Sequence, residues 1–163
     1  MNKRAGLDDG IYFIVIMLAL SIIFVVGNLI VTKVNTEFQA SGSISEQGKS
    51  ISGSLASKYA GVVDGAFLTF FVGIFLAMVI GAWFVRTHPA LFWLSIPILA
   101  FFVFIAAIYG NFFENFAQNS EVAESVAGLT IIPFIMNNYV MFIMGAIIVI
   151  SIALFAKNKT GNI

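Results

Sequence analysis

The only histidine of the chain, His88, stands in the run Arg86-Thr87-His88-Pro89 with no carboxylate beside it. A general base needs a neighbour that fixes its tautomer and aims it, so His88 reads as a turn residue. The 163 residues contain no cysteine, which removes thiol nucleophiles, thiolate metal ligands and disulfides together. No His or Cys cluster has the spacing of a metal site. Gly73 and Gly81 are followed by apolar residues, without the lysine that a Walker-type phosphate loop requires. The polar side chains left in apolar surroundings are Ser21, Asn28, Thr69, Ser95, Asn137, Asn138 and Ser151. Such groups either line a narrow path or hydrogen-bond neighbouring helices, at about 0.6 to 2 kcal/mol each; the second use is the commoner. These residues point to a non-enzymatic protein without cofactor or metal.

The most specific spacing belongs to small residues. Gly53, Ser57, Gly61, Gly65, Thr69, Gly73, Ala77 and Gly81 follow one another in steps of four. A helix built this way has a groove where others have a ridge, so a second backbone can lie close against it. At 3.6 residues per turn the row drifts by about 40° per step, so only three or four members face one straight neighbour. Gly61, Gly65, Thr69, Gly73, Ala77 and Gly81 form the candidate helix-packing interface, toward another span of the chain or toward another copy. On this reading Gly73→Leu disturbs assembly or folding more than Phe71→Leu.

Composition says what surrounds such a helix. Hydrophobic residues make up 60% of the chain and charged ones only 10%, with mean hydropathy +1.02. A soluble domain needs roughly a quarter of its residues charged, so lipid is the main solvent. Four stretches, 11–32, 65–85, 90–113 and 133–156, reach the roughly 20 residues that cross a hydrocarbon core. The expected fold is all-α: one polytopic membrane domain with four transmembrane helices and a polar helical extension between the first two. The first stretch reads as an uncleaved signal anchor. The second inserts most strongly, with roughly 4 to 7 kcal/mol from its large apolar side chains. Residues 86–89 allow only a tight hairpin, Pro89 suits a first helical turn, Pro97 kinks or loosens the third helix, and Pro133 opens the fourth.

Four crossings place Lys3, Arg4, Arg86, Lys157 and Lys159 on one side with Asp8 and Asp9. The other side holds Lys33, Lys49 and Lys58 with Glu37, Glu46, Asp64, Glu114, Glu121 and Glu124. The positive-inside bias then puts both termini in the cytoplasm or its equivalent. No Asp, Glu, Lys or Arg falls inside a proposed span, which disfavours ion-coupled transport. In the outer segment 33–64, Phe38, Ile44, Ile51, Leu55 and Tyr59 recur close to helical spacing and continue to Val62. They form a possible partner-facing stripe on a projecting helical hairpin; the alternative is a flexible Ser/Gly linker. The outer acidic loop 114–130 reads as wet, with Phe112, Phe113 and Phe116 before it at the headgroups. Zero net charge carries no nucleic-acid signal.

The layout resembles a known family. A Lys-Arg start leads through GLDDG into the first span, then come NTEFQASGSISEQGKSI, a THP hairpin and a final IPFIMNNYVMFIMGAIIVISIALFAKNK. This resembles the small integral membrane proteins of tailless icosahedral bacteriophages that enclose a lipid vesicle beneath the capsid. The resemblance covers the whole chain in layout and carries over no site residue. It implies a structural role in which many copies organise the virion membrane and fasten it to capsid proteins. The implied partners are the bilayer, further copies or other membrane proteins, and the shell. Two readings compete: a pore-forming lysis protein of the holin type, and an accessory subunit of a larger cellular membrane complex.

Overall fold

A computed structural model describes residues 7–84 and 89–160. The expected hairpin at 86–89, with Arg86 and His88, lies outside the described residues except for Pro89, as do Lys3 and Arg4. Among the described residues every element is helical: α1 (Leu7–Ala40), α2 (Glu46–Phe84), α3 (Pro89–Ala117), α4 (Ala123–Ala127), α5 (Ile131–Asn137) and α6 (Tyr139–Thr160). Three helices are long and apolar enough to cross a membrane, and the bent pair α5 and α6 makes a fourth if counted as one span. The fold is thus compatible with a multi-pass membrane protein.

The chain begins with two unusually long antiparallel rods. α1 has 34 residues and α2 has 39, about 51 and 58 Å at 1.5 Å per residue. Their connection needs five residues. Ser45 caps α2 by accepting the Gly48 N–H at 3.2 Å, the usual work of a serine at this position. Residues 33–64 are therefore two helical arms around a turn, and not a linker. The arms are stitched by polar groups: Ser52 Oγ donates to Asn35 Oδ1, while Gln39 Nε2 donates to Asn35 Oδ1 and to the Lys49 carbonyl. Small residues permit this closeness, since a Cβ added at Gly53 would meet the Gln39 amide at 3.6 Å.

Further down, the inner face of α1 presents Ile14, Met17, Ser21, Val25 and Asn28, spaced by three and four, all buried. Val63, Asp64 and Phe67 of α2 face them, with Phe102, Ala106 and Phe113 of α3 and Tyr139 and Ile143 of α6. Edge-on and tilted rings tie four helices in sequence: Phe13 to Phe71 at 6.0 Å, Phe71 to Phe142 at 5.5 Å, and Phe142 to Phe134 at 5.9 Å. Gly27 gives room for one more ring, because a Cβ there would stand 2.9 Å from the Tyr59 hydroxyl.

Three expectations change at this level. The stretch 133–156 is not one rod: α5 and α6 meet at Asn138 with a bend of 75°. Asn138 leaves helical geometry and donates its side-chain amide to the Phe134 carbonyl at 2.8 Å. The segment 114–130 is not a wet loop either. α3 continues to Ala117, and Val122, Ser125 and Leu129 are buried, although Glu114, Glu121 and Glu124 remain exposed. Phe113 is a core side chain and only Phe112 is open. Pro97 is accommodated inside α3, which continues on both sides.

The small-residue row lies away from this core. Gly61, Thr69, Gly73, Ala77 and Gly81 are exposed and Gly65 is half-buried. A Cβ at Gly61, Gly65, Gly73 or Gly81 would meet nothing within 4 Å among the described residues. Among the described residues, these six positions make no seam with another span of the same chain. This reverses the expectation for folding of the single chain. Phe71→Leu removes two ring contacts at about 0.5 to 1.5 kcal/mol each, whereas Gly73→Leu adds a side chain into open space. Thermal unfolding of detergent-solubilised monomer should show a lower midpoint for Phe71→Leu and little change for Gly73→Leu.

Candidate functional site

The most concentrated chemistry sits where α4 and α5 fold back onto the α1–α2 pair. α5 has seven residues, and its N-cap residue Thr130 makes no side-chain cap. The first amides of any helix lack partners within it. Here they find one carboxylate from α2. Asp64 Oδ2 accepts the N–H groups of Thr130 at 2.6 Å and Ile131 at 3.0 Å, and Oδ1 accepts that of Ile132 at 3.0 Å. Asp64 is only 6% exposed. Its charge also stands at the positive end of the short helix dipole, where an anion is favoured.

A second clasp holds α4 to α1. Asn28 Nδ2 donates to the Ser125 carbonyl at 2.9 Å, and Ser125 Oγ donates to the Val25 carbonyl at 3.2 Å. Both side chains are buried. A third bond fixes the start of α6, where the Tyr139 hydroxyl donates to the Ile14 carbonyl at 3.1 Å. Gly110 of α3 completes the fit, since a Cβ there would touch the Met136 carbonyl at 3.7 Å and Tyr139 Cβ at 3.8 Å. Among the described residues, no buried side-chain nitrogen or oxygen is left without a partner. The seam is saturated, so its chemistry is that of a fastening.

Outside the seam, α1 and α4 flank an open cleft of about 370 Å³. Lys33, Glu37, Glu121 and Glu124 line it with Thr32 and Thr36. It is open to the surroundings, and its lining mixes these polar side chains with apolar surface such as Leu29. No group of three or more His, Asp or Glu side chains among the described residues is placed to hold a metal ion.

The structure separates the residues singled out in the sequence. Asn28 does not meet Asn137 or Asn138: Asn137 is exposed, and Asn138 bonds within its own turn. Ser21 and Thr69 donate to carbonyls of their own helices, at 2.7 and 2.8 Å. Ser151 is half-buried, and Ser95 lies outside the described side chains. Of the stripe, Ile51 and Leu55 are 63% and 61% exposed and Phe38 is 41% exposed. Ile44 sits in the turn before α2, and Tyr59 is half-buried against the core. The residue whose part sequence reasoning missed is Asp64, counted only among the charges of the outer side and buried in the structure. One signal was available. Ala60, Val63, Asp64, Phe67, Phe71 and Ile74 share one helical stripe, so the carboxylate belongs to the inward face of α2.

Comparison of the chain with protein-family models, curated proteins and solved structures yields no match.

Replacing Asp64 should loosen the fold at one place. Asp64→Ala leaves three amides without an acceptor and should cost about 2 to 4 kcal/mol. Amide exchange at Thr130–Ile132 should quicken ahead of exchange in α1. Glu121→Gln, at an exposed carboxylate, should leave both the unfolding midpoint and these amides unchanged.

Proposed function

We propose that this chain is a non-enzymatic structural membrane protein that packs with copies of itself and holds a bilayer to a protein shell. One observation carries the reading. The buried polar groups of the described residues are all satisfied within the protein, Asn28, Asp64 and Ser125 by fastening one element to another, while the outward faces of α1, α2, α3 and α6 are apolar. A protein arranged in this way offers lipid-facing surface and rigidity.

The proposed membrane arrangement has four crossings, with the bent α5–α6 unit as the fourth. Both termini stand on the side rich in Lys and Arg, as the positive-inside bias favours. The hairpin arms around residues 41–45 then rise above the opposite surface. Their length supports this, because rods of about 50 Å exceed a hydrocarbon core of about 30 Å. The turn is the part best placed to touch a shell. The resemblance in layout to membrane proteins of tailless, vesicle-containing phages supports a virion internal membrane, reached through the host cytoplasmic membrane.

Two measurements test this. Induced in bacteria, the protein should leave the membrane potential intact; abrupt depolarisation would instead support a pore. Because the chain has no cysteine, Ser43→Cys gives a single reporter at the turn. A membrane-impermeant maleimide should label it from outside intact cells, and labelling only after lysis would place the hairpin on the wrong side.

A further inference from the structure

α4 and α5 touch three long helices, each time just below the first charge on the hairpin side. On α1, Asn28 holds the Ser125 carbonyl, and the first charged residue above it is Lys33. On α2, Asp64 holds the amides of Thr130, Ile131 and Ile132, and the next charge toward the turn is Lys58. On α3, a Cβ at Gly110 would stand 3.7 Å from the Met136 carbonyl, and the first charge beyond is Glu114. These steps of five, six and four residues rise about 6 to 9 Å along each helix. Lys33, Lys58 and Glu114 are all exposed. On the other side of the contacts, 11–28, 65–84 and 89–110 hold no Asp, Glu, Lys or Arg. A bilayer about 40 to 45 Å thick with a core of about 30 Å leaves a headgroup layer of about 5 to 8 Å on each face. Three helices thus place a layer of that depth directly above α4 and α5.

The faces of α5 and α6 change at the same place. The open residues along α5 are Thr130, Phe134 and Asn137, while Ile132, Ile135 and Met136 are buried. One ring therefore stands between two polar side chains, and Phe134 is 60% exposed. Phe112 of α3, two residues beyond Gly110, supplies a second open ring at this height. Aromatic rings favour the boundary between headgroups and acyl chains. Past the bend, the open side chains of α6 are Met141, Met144, Ile148, Val149 and Ile152, none of them polar. The apolar run from Tyr139 to Ala156 has 18 residues before Lys157, about 27 Å. That length nearly fills the core without α5. The bend of 75° lays α5 close to the membrane plane when α6 stands along the normal.

We propose that α4 and α5 form a collar lying in the outer membrane interface, with Phe134 at the acyl boundary and α6 alone making the fourth crossing. The inference rests on the reading that the chain spans a bilayer. Lipid is the occupant of the open α5 face. The wet glycerol and headgroup layer receives Thr130 and Asn137, and acyl chains cover the ring between them. Deeper in hydrocarbon, the interrupted backbone between Ala117 and Tyr139 and these polar side chains would face lipid without water, which membranes do not tolerate. The contacts also follow three helices around the bundle, a path that a fluid layer matches at every point. Held there, the collar fixes how far the hairpin stands out. Ala40 is twelve residues beyond Asn28, about 18 Å.

Spin labels on single cysteines measure the depth. The full chain is reconstituted in liposomes with one nitroxide at Thr130→Cys, Phe134→Cys, Asn137→Cys, Ile148→Cys or Glu121→Cys. Collisions with oxygen and with a water-soluble nickel chelate give the depth of each. Labels at 130, 134 and 137 should lie at headgroup depth and within about 3 Å of one another, whereas a straight rod would separate the outer two by about 10 Å. The label at 148, ten residues below the bend, should lie about 15 Å deeper, and the label at 121 should read as water. Thr130→Cys and Asn137→Cys alter only open side chains, so they decide the matter even where loss of the Phe134 ring disturbs packing. Labels at 130 and 137 as deep as that at 148, as wet as that at 121, or shielded by protein from both reagents would overturn the proposal. A deep label at 148 beside any of these removes the collar alone. A wet label at 148 removes the membrane reading, and the collar with it.

Discussion

A backbone amide without water must find its acceptor inside the protein, and this constraint organises the second half of the molecule. In the long rods the requirement is met by the helix itself. Between Ala117 and Tyr139 the helical path is interrupted repeatedly, and each interruption frees donors and acceptors. Asp64 satisfies three of them at once. Asn28 takes the Ser125 carbonyl, and Asn138 takes that of Phe134. Irregular backbone near a bilayer is tolerated only where protein satisfies it. The α4–α5 segment can therefore lie folded against α1 and α2 because polar groups on those rods were already facing inward.

The same rods divide their surfaces by height. In the arms, the seam is polar and small, while large apolar side chains point away from it. Lower down the pattern inverts toward the usual one, with Phe67 and Val25 inside. Polar seams suit a region where water competes for loose ends and small residues let helices approach. Apolar seams suit lipid only when they interlock tightly, because hydrocarbon outside is as apolar as the core. The ring series from Phe13 to Phe134 supplies such interlocking.

Glycine spacing was the loudest signal in the sequence, yet among the described residues Gly53 alone of that row's glycines meets another part of the chain, and two further glycines serve it as closely. Gly27 admits the Tyr59 ring and Gly110 admits the α5 backbone. Neither belongs to the four-step row. A row in steps of four winds around its helix, so it cannot follow one straight partner for its whole length. Only a few members can share one face.

Sequence by itself determined that the chain is helical, apolar and built of rods long enough for a membrane, because hydropathy and helical period are local properties summed over many residues. It also located the helical course of 33–64, from side chains recurring at helical spacing. Tertiary structure alone decided which side of each rod is inside. A stripe of Ile51 and Leu55 looks the same whether it meets a neighbour or the surroundings, and only the packing of α1 on the Ser52 side settled it. It alone decided the break at Asn138 and which groups the inward-facing Asp64 holds. The partners in that seam are backbone groups 66 to 68 residues away, and backbone amides carry no letter in a sequence.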